Sequence, residues 1–149
     1  MKLILELNNT TTQKFSKKKF LSVFERTLEL ANLKCLESKI LEVSVALIEE
    51  EEIEKLNTQY RKRNKPTDVL SFCEFESMQQ LCKTKEEQIF LGELIVCPEY
   101  IAQNADDGET AGHAMDYIVS HGILHLLGFD HGKRMFSLQQ SVANQLEKK

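Results

Sequence analysis

The segment HGILHLLGFDHG, residues 121–132, constrains the fold of this chain most strongly, because it contains three of the four histidines. Residues four apart lie on the same face of an α-helix, so His121 and His125 can hold one ion between them. Gly128 can adopt the left-handed conformation that ends a helix and reverses the chain. His131, three residues later, can then return to the same ion as a third ligand. The segment therefore predicts a helix, a glycine turn and a metal centre.

Three imidazole ligands leave the fourth tetrahedral position open, which is typical of catalytic zinc sites. Zinc proteases with this spacing carry a glutamate directly after the first histidine, where this chain has Gly122. Zinc can lower the pKa of its bound water to about 7 without a protein base, so Gly122 argues against a peptidase and leaves hydrolysis open. Glycine costs roughly 1 kcal/mol inside a helix relative to alanine. Either close helix packing or substrate access to the ion would explain Gly122.

A second concentration of functional residue types is RKRNK, residues 61–65, which has four cations in five positions and is a candidate phosphate-binding segment. The formal net charge of −4 argues against indiscriminate nucleic-acid binding, so any phosphate contact is expected to be local. On composition alone, a solvated basic loop is the simpler interpretation. His113 lies outside the metal spacing and is expected to be a surface or capping residue, with a supporting role at the metal as the alternative.

The length of 149 residues and the 42% hydrophobic content are expected to form a single domain, residues 1–149. The N-terminal apolar run is too short for a signal peptide, and no later run is long enough to cross a bilayer, so we expect a cytoplasmic protein without a membrane partner. The four cysteines form no C-x-x-C pair and are expected to be reduced.

Period-two alternation predicts strands over residues 2–7, 40–48, 69–75 and 88–97. Helical spacing predicts helices over about 16–33, from the glutamate run 49–52, from Pro98, over 109–127 and from Lys133. The last helix carries the apolar residues Phe136, Leu138, Val142 and Leu146. The polar segment before residue 88 predicts a hairpin with a long, mobile connection. We therefore expect an α+β fold with a small mixed sheet of about four strands, about five helices and a zincin-like metal helix and turn.

Beyond these patterns, HGILHLLGFDH closely resembles the H-G-x-L-H-L-x-G-[YF]-D-H signature of the YbeY family of bacterial metal-dependent endoribonucleases. Residues 56–72, LNTQYRKRNKPTDVLSF, resemble the family's L-N-x-x-Y-R-x-x-x-x-P-T-[DN]-V-L-S-F segment. Residues 91–96, LGELIV, are similar to its L-G-D-[IL]-x-[IV] strand. The resemblance spans nearly the whole chain. Two positions depart from the family pattern, with Glu93 in place of aspartate and Cys73 in place of a frequent proline, and a catalytic role for Glu93 is not expected.

The resemblance implies that His121, His125 and His131 are the metal ligands and that Arg61 is the family's functionally important arginine. It also implies an α+β fold in which the arginine loop opens toward the metal. The implied activity is single-strand-specific cleavage of ribosomal RNA, with roles in 16S rRNA 3′ end processing, ribosome biogenesis and ribosome quality control. The implied partners are the small ribosomal subunit and, further, its proteins. One zinc ion per chain is the expected cofactor.

The predicted catalytic residues are Arg61 and His121. A guanidinium fork matches two phosphate oxygens, so Arg61 is expected to clamp the scissile phosphate, while Lys62, Arg63 and Lys65 attract RNA. Asp68 and Ser71 can shape the pocket, although Asp68 is more simply a turn cap.

Several alternatives stay open at this point. One rival is a metallopeptidase-like hydrolase. A second is a non-catalytic, zinc-stabilised ribosome assembly factor, in which Asp130 would be the best available fourth ligand. The nucleophile is either metal-activated water or a ribose 2′-OH. Zinc, copper, nickel or iron suits three imidazoles, and the oligomeric state is not predicted.

Overall fold

A computed structural model describes residues 1–147 and has strands and helices interspersed along the chain. The strands are β1 (Lys2–Asn9), β2 (Ile40–Leu47), β3 (Val69–Cys73) and β4 (Gln88–Val96). The helices are α1 (Lys17–Ala31), α2 (Glu50–Arg61), α3 (Met78–Lys83), α4 (Pro98–Gln103), α5 (Ala111–Leu126) and α6 (Lys133–Glu147), with a 3-10 turn at Lys34–Leu36. The α+β prediction is confirmed, and the five expected helices are joined by the short helix α3.

The four strands form one mixed sheet in the order β1-β2-β4-β3. The β1–β2 and β2–β4 pairs are parallel, and β3 lies antiparallel to β4. The register of β4 against β2 shifts at Gly92, whose φ is +138°. A Cβ there would come within 2.2 Å of the Phe72 carbonyl oxygen, so the bulge requires glycine. The sheet is therefore bent where β4 passes beside β3.

The two faces of the sheet pack against different helices. On β2, alternate residues are fully buried, and these residues, Leu41, Val43, Val45 and Leu47, belong to the main core with α1, α5 and α6. The opposite face and α2 enclose a smaller cluster of Ile48, Ile53, Leu70, Ile95 and Cys97. Side chains of neighbouring strand residues point to opposite faces, which explains why Leu94 and Ile95 belong to different clusters.

Helix α5 lies at the centre of the structure and positions the histidines. It packs against α1, α4 and α6 and against the strands β3 and β4. Its apolar residues therefore have partners on several sides, and nine of its residues are buried. Even so, no helix within residues 1–147 is long and apolar enough to cross a membrane.

The connection between β3 and β4 corrects two predictions. It was expected to be a mobile polar link, but it contains α3, which begins where Ser77 Oγ accepts a hydrogen bond from the Gln80 N–H. Leu81 on α3 is fully buried. The next residue, Cys82, forms a disulfide with Cys35, so the expectation of four reduced thiols is wrong, and only Cys73 and Cys97 are free. Burial and a crosslink thus fix a segment whose composition suggested mobility.

Candidate metal centre

The position of the third histidine depends on how α5 ends. The Gly128 N–H donates to the His125 carbonyl at 3.0 Å, and the Phe129 N–H donates to the Leu124 carbonyl at 3.0 Å. These two bonds form a Schellman motif, with Gly128 at a φ of +93°. A Cβ on Gly128 would approach the Met78 nitrogen to 2.4 Å, so the position also needs glycine for its contact with α3. The turn then carries His131 back toward α5, as the spacing predicted.

The three histidines converge through their Nε2 atoms. His125 Nε2 lies 3.0 Å from His121 Nε2 and 3.1 Å from His131 Nε2. Nitrogen ligands at 2.0–2.1 Å from a tetrahedral ion are separated by about 3.3 Å, close to both distances. All three residues offer ligand nitrogens within 4.8 Å of one another. The three residues therefore fit a single metal ion.

The protonation of the triad also suits metal binding. Burial lowers the pKa of His125 to about 4, aided by the positive charges of the other two histidines and of Arg61. Burial likewise lowers the pKa of His121, and the hydrogen bond with Gln139 and the carboxylate of Asp68 only partly oppose this. Both rings are therefore neutral at pH 7, with lone pairs available to a cation.

A cavity of about 750 Å³ opens over the triad. Arg61, the last residue of α2, and Arg63 in the following loop both line it. The rest of the lining comes from Asp68, Val69, Ser71, Cys73, Tyr117, Ile118, Phe136 and Gln139 together with the three histidines. The structure thus brings Arg61, Arg63 and the triad to one cavity. Lys62 and Lys65 are exposed outside this lining.

The basic loop is held in place by the end of α2. Lys62 has a left-handed φ of +57°, and its N–H donates to the Thr58 carbonyl. The side-chain amide of Asn57, which is 1% exposed, donates to the Lys65 carbonyl at 2.9 Å. Thr58 Oγ1 donates to the Arg63 carbonyl at 3.2 Å. These bonds order the backbone of the loop, while residues 61–65 themselves are exposed.

Asp68 and Ser71 both line the cavity, as expected for residues that shape it. Asp68 Oδ1 also accepts a hydrogen bond from the Val69 N–H at 2.7 Å, so the expected capping role is present as well. Cys73 lies at the same cavity, where its thiol donates to the His125 carbonyl at 3.5 Å. Burial raises the pKa of Cys73, which keeps this thiol protonated at neutral pH.

Two other sequence candidates lie outside the metal cavity. Glu93 alternates with Leu94 and therefore faces away from α5, where it accepts a hydrogen bond from Ser44 Oγ at 3.3 Å. Asp130 is exposed, and within residues 1–147 the group able to hold an ion consists of the three histidines without it. The cluster therefore offers three candidate ligands, the number that leaves a position open on a tetrahedral ion.

His113 contributes to a neighbouring cavity of about 570 Å³. Its Nδ1 lies 2.6 Å from Glu109 Oε2, and its Nε2 lies 3.0 Å from Asn144 Oδ1. Its backbone N–H donates to Thr110 Oγ1, which caps α5. The neighbouring cavity shares Asp68, Tyr117 and Ile118 with the metal cavity, but His113 itself does not line the metal cavity. His113 thus lies in the first turn of α5, where Thr110 is the capping residue and the His113 side chain is 12% exposed.

Gly122 serves helix packing. A Cβ at this position would lie 2.8 Å from Leu94 Cδ2 and 3.1 Å from Leu94 Cδ1. Gly122 is buried where α5 packs on β4, and a side chain at this position would point toward the sheet. Of the two explanations drawn from the sequence, close packing is the one that these distances favour.

Two residues of α6 differ from the sequence predictions. Gln139 was not predicted as a residue of the site, and Phe136 was predicted only as an apolar residue of the last helix. The predicted apolar residues of the last helix included Phe136, which is 46% exposed and borders the metal cavity. Of the other predicted residues, Val142 is buried and Leu138 and Leu146 are partly buried, while Met135, Gln139 and Ala143 complete the buried face of α6. Gln139 Oε1 lies 3.1 Å from His121 Nδ1. A polar residue at helical spacing within a buried stripe was the signal that could have identified it.

Comparisons with known proteins agree with this geometry. The family model described as Endoribonuclease YbeY matches residues 6–147. The endoribonuclease YbeY of Thermobifida fusca (strain YX) is 38% identical, covering 69% of this chain and 70% of that protein. The endoribonuclease YbeY of Mycobacterium sp. (strain KMS) is 30% identical, covering 96% of this chain and 86% of that protein. The solution structure of TM1509 from Thermotoga maritima is similar with a TM-score of 0.62 and 28% identity, over 98% of this chain and 89% of that one.

Proposed function

The chain belongs to the endoribonuclease YbeY family, and from this premise we propose that it is a metal-dependent endoribonuclease that cleaves single-stranded ribosomal RNA. The observation that carries the proposal is the shared cavity, which is lined by Arg61 and Arg63 together with the three clustered histidines. Imidazoles hold a cation, and guanidinium groups hold phosphate, so the two sets suit a phosphodiester. The name of the relatives gives the reaction class, internal cleavage of RNA.

His121, His125 and His131 would hold one zinc ion per chain, since three imidazoles within 4.8 Å match the ligand type and number of catalytic zinc. When bound, the ion supplies Lewis acidity toward a phosphoryl oxygen and lowers the pKa of water. The neutral state of His125 at pH 7 leaves one ring nitrogen with a lone pair for the ion. His121 is assigned to catalysis through this same ligand role.

Arg61 binds the scissile phosphate and stabilises the negative charge that develops on it. It is the last residue of α2, where hydrogen bonds from Asn57 and Thr58 order the loop that follows. A guanidinium at the cavity can stabilise negative charge that develops on a phosphate. Arg63 gives a second cation at the cavity, while the exposed Lys62 and Lys65 supply longer-range attraction to RNA.

A single-stranded substrate is supported by an aromatic ring inside the cavity. Phe136 is 46% exposed, and its ring lies 6.3 Å from the His131 ring at an interplanar angle of 15°. An unpaired base can stack on such a ring, whereas a paired base is already stacked within its duplex. The proposal therefore places the base next to the scissile phosphate over Phe136.

The biological setting follows from the family. We propose that the substrate is 16S rRNA at its 3′ end and that the protein acts in ribosome biogenesis and ribosome quality control. Its partners would be the small ribosomal subunit and that subunit's proteins. Because these particles assemble in the bacterial cytoplasm, we propose this compartment as the site of action. The family match over residues 6–147 supports residues 1–149 acting as a single domain.

Two rival functions are less well supported by the geometry. A metallopeptidase would need a general base near the ion, but position 122 is occupied by a glycine packed on Leu94. A purely structural zinc site would need a fourth protein ligand, and residues 1–147 offer three histidines. The metallopeptidase function is tested by an assay of peptide hydrolysis with fully metallated protein. We expect this assay to give no product.

The test of the proposed function is cleavage of a labelled single-stranded ribosomal RNA fragment by zinc-loaded wild-type protein and by His125→Ala. Metal content is measured on both samples. We expect the wild type to cleave and the variant to lose zinc and cleavage together. Cleavage by a variant that holds no metal would contradict metal dependence, and no cleavage by fully loaded wild type would favour a binding factor.

A further inference from the structure

Gln139 is an exception within the core of the molecule. It is 1% exposed and lies on α6 between Met135 and Val142, which are both fully buried apolar residues. Residues 1–147 contain five buried polar or charged side chains, namely Thr27, Asn57, Asp116, Ser120 and Gln139. A buried amide costs free energy unless it is hydrogen-bonded, so its partner indicates why a glutamine stands there.

The partner of Gln139 is one of the three clustered histidines. Gln139 Oε1 lies 3.1 Å from His121 Nδ1. An amide oxygen can only accept a hydrogen bond, so Nδ1 of His121 must carry the proton. A neutral imidazole has one N–H, and this leaves the lone pair on Nε2, the atom that lies 3.0 Å from His125 Nε2. The hydrogen bond thus selects the tautomer whose free nitrogen points into the cluster.

The same bond also restricts the orientation of the ring. Gln139 is the one side chain within residues 1–147 that bonds to Nδ1 of a clustered histidine. Because α6 packs directly on α5, the amide reaches His121 from a neighbouring rigid helix. The contact at Nδ1 limits rotation of the imidazole about its bond to Cβ. The ring therefore has both its tautomer and its direction set before any ion arrives.

We propose that Gln139 is the positioning residue of the metal centre, which holds His121 as the Nδ1-protonated tautomer with Nε2 presented to the ion. This inference rests on the metal centre of the proposed function. Outer partners of metal-bound histidines commonly change metal affinity by 10- to 100-fold. Gln139 acts through His121 and is not assigned a contact with the RNA. Its replacement therefore changes zinc affinity first and cleavage only as a consequence.

The first experiment measures zinc affinity by competition with a chelator. Gln139→Leu replaces the amide with an apolar side chain that has no acceptor, and it is expected to bind zinc roughly 10- to 100-fold more weakly than wild type. Gln139→Glu restores an acceptor and is expected to stay close to wild type. Gln140→Leu is the matched control, because Gln140 is the next residue on α6 and bonds to Asn144 instead. Zinc affinity of Gln139→Leu equal to that of wild type would overturn the inference.

The second experiment reads the tautomer directly in metal-free protein by long-range ¹H–¹⁵N NMR of the histidine rings above pH 7. Wild-type His121 is expected to carry its proton on Nδ1, and Gln139→Leu is expected to lose that preference. A proton on Nε2 in the wild type would contradict the inference even if the leucine variant did not fold. Wild-type protein that binds no zinc would instead remove the proposed function, so the two failures are distinguishable.

Discussion

Gly122 on α5 lies directly against Leu94 on β4, and a Cβ at Gly122 would come within 2.8 Å of Leu94 Cδ2. Alanine is favoured over glycine inside a helix by up to about 1 kcal/mol. Overpacking a core typically costs about 1–3 kcal/mol, which exceeds that gain. We therefore expect Gly122→Ala to lower the free energy of unfolding by roughly 1 kcal/mol in a denaturant titration. If Gly122→Ala instead gained the full stability that helix propensity predicts, the contact with Leu94 would not restrict the side chain at position 122.

The exposed ring of Phe136 is predicted to bind an unpaired base. Stacking of a base on an aromatic side chain contributes about 1–3 kcal/mol, so Phe136→Ala should weaken the binding of short single-stranded RNA by roughly 5- to 100-fold. Phe136→Tyr should retain most of the affinity. The control is Phe90→Ala, because Phe90 is 40% exposed on β4 but does not line the metal cavity. Equal losses in the alanine variants of Phe136 and Phe90 would argue against stacking at the cavity.

The disulfide between Cys35 and Cys82 is predicted to stabilise the fold. The two residues are 47 positions apart, and closing a loop of that length is worth about 4 kcal/mol in the chain-entropy model. Replacement of both cysteines by serine should lower the free energy of unfolding by up to that amount. Treatment with a dithiol reductant should destabilise the wild type to a similar degree and leave the double variant unchanged. A reductant that has no effect on the wild type would contradict the crosslink.

The pair of His113 and Glu109 is predicted to make stability depend on pH. The hydrogen bond that His113 donates to the Glu109 carboxylate holds the pKa of His113 above its ordinary value of 6.5. Burial would raise the pKa of Glu109, but hydrogen bonds from His113 and the Asp106 N–H hold it below 4.5. The histidine contribution is therefore complete below pH 6.5 and lost as the pH rises through the raised pKa, while the glutamate contribution requires a pH above 4.5.

The measurement compares wild type with Glu109→Gln by chemical denaturation. The variant should be less stable than wild type at about pH 5.5, and the difference should shrink as the pH rises through the raised pKa of His113. A difference that stays constant over this range would mean that the pair contributes through packing and not through charge.

The parts of the fold that the sequence predicted are those specified by local pattern. The period-two run over residues 40–48 became β2 with alternate residues buried, because one face of a strand repeats every second residue. The histidine spacing located the metal triad because helical geometry and one glycine turn determine the positions of all three rings. Gly128 also ended α5 with the expected left-handed turn.

The remaining features depend on contacts between distant segments. Cys35 and Cys82 have no spacing signature, and only the packing of α3 brings them together. Gln139 reads as a surface residue until α6 is docked against α5, 18 positions from its partner His121. The direction of Gly122 toward Leu94 likewise required the sheet. In each case the deciding neighbour lies in another element of the fold.

The central claim is that Arg61 and the histidine triad act on one phosphate in one cavity. The most direct test is the rate of RNA cleavage by Arg61→Ala, with zinc content measured on the same sample and Lys62→Ala as the neighbouring control outside the cavity lining. We predict that Arg61→Ala, with full zinc content, lowers the rate of RNA cleavage on the order of 100- to 1000-fold, and that Lys62→Ala lowers it much less. Cleavage by zinc-loaded Arg61→Ala at the wild-type rate would contradict this claim.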